Sequence, residues 1–365
     1  MSGACDSCLR HSHLIGLLAP RIAAALASSD GPLRGLLNLD EERLTAAVAG
    51  RGTARARELV ERFDANTVRA AIHAARIDTA CRHHGAYPEE LLALHDPPAV
   101  LYFTGGPARL GRLLEQPAVA IVGTRRPSPY GTEVAYELGR GLAAAGVTVV
   151  SGLAIGIDSH AHRGATDADG GAIAVLACGP DVVYPRRHRR LYERIRARGA
   201  VVSELPPGVQ PFRWSFPARN RIMAGLARMT VVVEAGQPSG SLITTGFAQD
   251  LGREVGAVPG PITTWRADGT NKLLKDGASP ICGPEDVLDA LFGVGHGRSA
   301  SPPEPELEPE LRRVLDEVEQ GRGPEELGEG TGLAPGAVRA ALVQLELRGL
   351  VVRDRFGAYQ RAVRR

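Results

Sequence analysis

Between Ala118 and Gly260 one unit repeats: a short apolar run, a glycine-bearing loop, and a stretch with helical spacing. The runs read AVAIVG, VTVVSG, AIAVLACG, AVVSEL, MTVVVEAG and REVGAVPG. Each is apolar at consecutive positions and flanked by Gly or Pro, the pattern of a strand covered on both faces. Helical patterns fall between them, notably over Thr132–Ala145, Arg189–Arg198 and Ser241–Asp250. Parallel strands must be joined by crossovers, so the alternation restricts this region to a doubly wound, Rossmann-like α/β sheet.

The flanks follow other rules. From Leu14 to about Ala80 the chain is rich in Ala and Leu, with helical spacing in LRGLLNL and RARELVERF, and predicts a bundle of short helices. Pro and Gly at Pro88, Pro97-Pro98 and Gly105-Gly106-Pro107 mark the change of regime. Residues Gly293–Pro309 are Gly-, Pro- and Ser-rich without periodicity, as in a linker. Beyond them come helical patterns over Glu310–Gln320, Glu325–Glu329 and Gly336–Leu347, then a hairpin in VVRDRFGAYQ, the order of a winged helix. The expected division is a helical domain over 1–84, the α/β domain over 85–293, a linker over 294–309 and a winged helix over 310–365.

Open α/β sheets bind ligands outside the carboxyl ends of their strands. The residues there are Gly123-Thr124-Arg125, Ser151-Gly152, Tyr184-Pro185-Arg186, the PFRWSFPARNR stretch, Ser239-Gly240-Ser241 and Pro259-Gly260. Small residues admit a ligand to the backbone, hydroxyls and amides donate to phosphate, and arginines add charge. Aromatics make up only 4% of the chain, yet Phe212, Trp214 and Phe216 are interleaved with Arg213, Arg219 and Arg221. Rings that stack on bases, beside guanidinium groups that hold phosphates, suit single-stranded nucleic acid. The net charge is only +2, so the basic footprint is local: arginines crowd 186–198, whereas glutamates crowd 304–319.

Other chemistry is excluded or narrowed. No GxxxxGK[ST] is present, and SGLAIG lacks the glycine spacing and the acidic residue of a dinucleotide fingerprint. His160 and His162 would face different sides of a helix, which leaves Asp158 as an N-cap with His162 packed behind it. Five widely spread cysteines do not make a disulfide framework. Cys5-x-x-Cys8 has metal-ligand spacing, and Cys81 and His83 close the helical region. Two readings fit: a Cys₃His structural zinc site tying the N-terminus to the start of the α/β domain, or a frayed terminus beside an unrelated buried thiol. No apolar run spans a bilayer, and MSGACDSCLR has no signal-peptide core, so a cytoplasmic protein is expected.

With these motifs in order, the chain resembles the DNA-processing protein A family, also called DprA or Smf. The motifs are VGTRRPSPYG, SGLAIGIDSHAH, YPRRHRRL, SELPPG, FPARNRIMAGLA, VVEAGQPSGSLITT, AVPGPI and GTNKLLKDGA. The flanks agree, a sterile-alpha-motif-like helical domain before and a winged helix after. The resemblance implies a non-catalytic protein that binds single-stranded DNA, forms homodimers and loads the RecA recombinase during natural transformation, DNA uptake or related recombination. Carried over by motif, the DNA-binding residues are Gly123, Thr124, Arg125, Ser151, Gly152, Arg186, Phe216, Arg219, Asn220, Arg221, Ser239, Gly240 and Ser241. Thr124 stands where the family usually has serine, and His188 where asparagine is common.

Two other classes stay open. A Rossmann-like nucleotide or phosphoribosyl hydrolase could use the same loops, though Glu234 has no evident acid or histidine partner. A winged-helix regulator is the other, though GAVRAALVQLEL offers only Arg339 and Gln344 as base readers.

Overall fold

Alternation inside each short strand decides the architecture. In β3 (Ala118–Val122), Val119 and Ile121 point into one core and Ala118 and Val122 into another. The same alternation runs through the central strands of the sheet, so both faces need a covering layer. These positions come from a computed structural model that describes residues 3–28, 35–49, 58, 61–83, 86–295, 307–323, 326–353 and 359–361.

Besides β3 the sheet contains β1 (Asp78–Cys81), β2 (Val100–Phe103), β4 (Thr148–Ser151), β5 (Ala172–Val175), β6 (Ala200–Ser203), β7 (Met229–Val232), β8 (Glu254–Ala257) and β9 (Ser279–Pro280). Among the described residues these nine strands lie in the order β1-β2-β6-β5-β4-β3-β7-β8-β9. From β6 to β9 every neighbour is parallel, whereas β1 and β2 are antiparallel to each other and β2 is antiparallel to β6. Strands β3 to β6 step outward in one direction and β7 to β9 in the other. The switch point lies between β3 and β7.

One face is covered by the helices Pro129–Ala144, Ile157–Asp167, Arg189–Arg198 and Pro284–Phe292, which supply Ala135, Leu138, Leu142, Ala161, Ile195 and Val287. The other is covered by the helix Ser215–Leu226, through Ile222, Met223 and Leu226. The N-terminal helices Asp6–Ser28 and Glu41–Ala49 share a third core with this region, in which Leu14, Leu18 and Ile22 meet Leu205, Trp214 and Ala218.

Two expectations are corrected here. The helical region expected over 1–84 ends earlier, since β1 begins at Asp78 and pairs with β2, which lies between the Pro97-Pro98 and Gly105-Gly106 breakers. The N-terminal helices also do not stand apart from the sheet: Met1–Gly297 forms one compact unit because of that shared core.

Arg298–Arg365 forms a second unit. Its helices Pro309–Glu319, Leu327–Thr331 and Pro335–Leu347 bury Leu311, Leu315, Leu327, Val338, Leu342 and Leu345 together. β10 (Val351–Arg353) pairs antiparallel with β11 (Tyr359–Arg361), which completes the winged helix. Among the described residues no helix is long and apolar enough to cross a membrane.

Candidate nucleic-acid interface

A cleft of about 320 Å³ opens at the switch point. One wall is the loop after β3, Gly123-Thr124-Arg125; the other is Pro238–Ser241, where the helix Ser241–Asp250 begins. Arg219 and Asn220 lie between them with Phe216 and Met223.

The first wall is held by its neighbours' backbone. Thr124 N–H donates to the Glu234 carbonyl at 2.7 Å, and the Thr124 carbonyl accepts from Ile157 N–H at 3.3 Å. The Glu234 carboxylate accepts from Ser128 N–H at 2.8 Å and from Ser128 Oγ at 2.5 Å. Gly156, at φ +89°, closes against the Thr124 carbonyl at a separation that no side chain could share. The loop is thereby fixed, and the exposed Arg125 projects from a rigid base. Its guanidinium sits 4.8 Å from the Phe216 ring centroid, and Tyr184 lies 5.8 Å from the same ring.

Arg219 forms the floor. It is 5% exposed, and its Nη1 donates to the Val175 carbonyl at 2.5 Å while Nε donates to Asn220 Oδ1 at 3.1 Å. Its Nη2 lies 3.5 Å from Asp158. The Asp158 carboxylate accepts from Gly152 N–H at 3.1 Å and Ala154 N–H at 3.4 Å. Burial raises the Asp158 carboxyl above the usual carboxylate range, against the pull of Arg219, and burial likewise lowers the guanidinium. The Arg219 guanidinium lies directly over the Gly152 Cα, so any Cβ at that position would overlap it.

The second wall offers hydroxyls and a helix start. Ser239 Oγ and Ser241 Oγ are 2.7 Å apart, and Gly240 has open space where a Cβ would stand. Asn220 Nδ2 donates to the Gly240 carbonyl at 3.2 Å, which ties this wall to the floor. Hydroxyls at the positive end of a helix suit an anion.

The sequence-derived residues therefore divide. Gly123, Thr124, Arg125, Phe216, Arg219, Asn220, Ser239, Gly240 and Ser241 line the cleft. Gly152 lies behind Arg219 and lines a smaller adjoining recess with Tyr184 and Pro185. Arg186 is exposed and follows that recess in sequence, on the rim rather than in the cleft. Ser151 is corrected: fully buried, it donates to the Ile121 carbonyl at 2.6 Å and pins β4 to β3. Arg221 is corrected too. At 2% exposure it pairs with Glu204 at 2.7 Å and Asp96 at 3.2 Å, so no ligand reaches it. PFRWSFPARNR, expected as a loop, runs into the helix Ser215–Leu226; Trp214 is buried and its indole N–H donates to the Ala19 carbonyl. Asp158 is not an N-cap, since Gly156 holds that position. His162 is fully buried with neither ring nitrogen hydrogen-bonded, and burial lowers its pKa to about 4.

Sequence reasoning missed Asp158 as the partner of Arg219, and His188, which is buried with Nδ1 3.0 Å from the Leu153 carbonyl. Leu153 itself is held at φ +53°, a conformation that a non-glycine residue adopts at a cost. No local pattern announced either contact.

Away from the cleft, Cys5, Cys8, Cys81 and His83 come together, with their ligating atoms all within 4.8 Å of one another.

Residues 78–292 match the family model described as DNA recombination-mediator protein A, and residues 298–354 match that of the DprA winged helix domain. A DprA relative in Mycobacterium tuberculosis is 42% identical over 69% of this chain and 66% of its own length. The chain thus spans just under two thirds of that relative. Protein Smf of Synechocystis is 36% identical over 75% of this chain and 78% of its own length. Among solved structures, DprA from Streptococcus pneumoniae superposes with a TM-score of 0.61 at 33% identity, covering 78% of this chain and 96% of that one. DprA from Helicobacter pylori, described for its single-stranded DNA binding mode, gives a TM-score of 0.53 at 32% identity, covering 59% and 95%.

Proposed function

Because the chain belongs to the DNA recombination-mediator protein A family, we propose that it binds single-stranded DNA in the switch-point cleft and serves DNA processing in recombination without catalysing a reaction. The observation that carries this reading is the convergence of Arg125, Phe216, Arg219 and Ser239–Ser241 on one cleft. Consecutive phosphates would meet Arg125, the buried Arg219 and the Ser239–Ser241 helix start, while Phe216 offers a face to a base. A floor guanidinium already held by Val175 and Asp158 loses little side-chain freedom on binding.

The absence of turnover is part of the proposal. Among the described residues, Asp158 is the single carboxylate lining the cleft, and it is committed to Arg219 and two backbone amides. Glu234 is turned to Ser128. Neither faces a second acid or base across the cleft. Loading of the RecA recombinase and action as a homodimer are the finer parts of the reading and rest on family membership.

The test is a salt titration of binding to single-stranded and duplex oligonucleotides. Single strands should bind far more tightly, with log affinity falling linearly against log salt. Arg125→Ala should weaken binding about equally for all sequences and reduce the salt slope by about one phosphate contact, roughly 0.7 in magnitude. Equal affinity for duplex at moderate salt would overturn the reading.

A further inference from the structure

We propose that Cys5, Cys8, Cys81 and His83 bind one zinc ion as a tetrahedral Cys₃His site, which fastens the first helix to the edge strand of the sheet. The ligands come from two segments. Cys5 and Cys8 flank the start of the helix Asp6–Ser28, and Cys81 ends β1, with His83 two residues on. Cys8 and His83 are 75 residues apart in the chain.

The spacing of the ligating atoms matches that of a metal shell. His83 Nδ1 lies 3.4 Å from Cys5 Sγ and 3.4 Å from Cys8 Sγ, and Cys5 Sγ lies 3.8 Å from Cys81 Sγ. A zinc ion at ~2.3 Å from sulfur and ~2.0 Å from nitrogen sets tetrahedral edges of about 3.8 Å between sulfurs and about 3.5 Å between sulfur and nitrogen. A disulfide would instead need sulfurs about 2.05 Å apart, and all of these thiols are free. Three thiolates and one imidazole form a soft donor set without a carboxylate, which favours zinc over magnesium, calcium or manganese.

The surroundings support bound thiolates. The Cys5 amide donates to Cys81 Sγ at 3.4 Å, and Ser7 Oγ lies 3.2 Å from Cys5 Sγ. Cys8 lies in the first turn of a 23-residue helix, where the positive end of the dipole favours a negative ligand. Zinc with three thiolates and a neutral imidazole carries a net negative charge, and Arg82 stands between two of the ligands. His83 is exposed and Cys5 half-buried, which leaves a way in for the ion, while Cys81 and Cys8 are buried beneath. A metal here would clamp the small core of Ala4, Leu9, Ile72, Ile77 and Tyr102 around the sheet's β1 edge.

The experiment uses the full chain, purified under reducing conditions without added chelator. Elemental analysis should find about one zinc per chain, and cobalt exchange should give the intense visible bands of a tetrahedral thiolate site. Chelation should lower the melting temperature. His83→Ala, at an exposed position that the fold tolerates, should lose the metal, and His83→Cys should regain it. Cys282→Ser, at an exposed cysteine outside the group, should keep it. The proposal is overturned if the folded wild-type chain, equilibrated with excess zinc and desalted, retains no more metal than His83→Ala. It is equally overturned if Cys5, Cys8 and Cys81 react with a thiol reagent as readily with zinc as without.

Discussion

Arg219 and Arg221 are two residues apart and read alike in the sequence, yet they do opposite things. Two helical positions are about 200° of rotation, so one guanidinium floors the cleft and the other turns into the pair Glu204 and Asp96. Removing Arg221 leaves two buried carboxylates without a cation. Arg221→Ala should therefore destabilise the protein by about 3–5 kcal/mol, read in a urea melt, while the fraction that stays folded binds single strands with undiminished affinity. Loss of affinity at unchanged stability would return Arg221 to the binding surface. The carboxylates that separate these roles come from distant segments, so no local pattern in PFRWSFPARNR could distinguish them. That Gly123, Thr124, Arg125 and Ser239–Ser241 line one cleft was legible because the carboxyl ends of parallel strands gather at one edge of such sheets. Ser151 was not, because a hydroxyl that bonds the next strand's carbonyl looks in sequence like one that faces a ligand.

Elements show the same division between what is local and what is not. The six strands from β3 to β8 announce themselves as apolar runs between glycines, and the helices Arg189–Arg198 and Ser241–Asp250 have the bounds their spacing suggests. The helix Ser215–Leu226 was hidden by Pro217, which is tolerated because the first turn leaves its N–H groups free. β9 was not legible because two residues carry too little periodicity, and β2, as short and apolar as the strands that were, stands outside their strand–loop–helix repeat. The helix Ile157–Asp167 has a property of its own, since it carries His162 into the core uncharged. Its native pKa near 4 lies below the ordinary 6.5, so the unfolded chain binds the proton first as pH falls. Stability should be lost between about pH 6.5 and pH 4, by about 2 kcal/mol at pH 5 from this group. His162→Leu should shrink the difference between urea midpoints at pH 7 and pH 5; an unchanged difference would show that His162 does not titrate on unfolding.

At the scale of the molecule, the chain divides into two compact units, Met1–Gly297 and Arg298–Arg365. All cleft residues belong to the first unit, and the second buries its own apolar core through Val314, Leu315 and Leu345. Ending the chain at Gly297 should leave the melting of the first unit and its affinity for single strands little changed; a collapse of binding would assign the strand to the winged helix. The winged-helix order was legible from helical spacing, whereas most of the linker expected over 294–309 lies outside the described residues. The shared core of the N-terminal helices was not, because Leu14 and Trp214 meet across most of the chain. The placement of the cleft at the switch point also bears on synthesis. Thr124 and Arg125 leave the ribosome well before Ser239–Ser241, and the strands in between build outward, away from the place where the second wall will dock. A nascent chain therefore holds one wall of the cleft before the other exists, and the cleft is complete only when Ser239–Ser241 follow β7 into place beside β3.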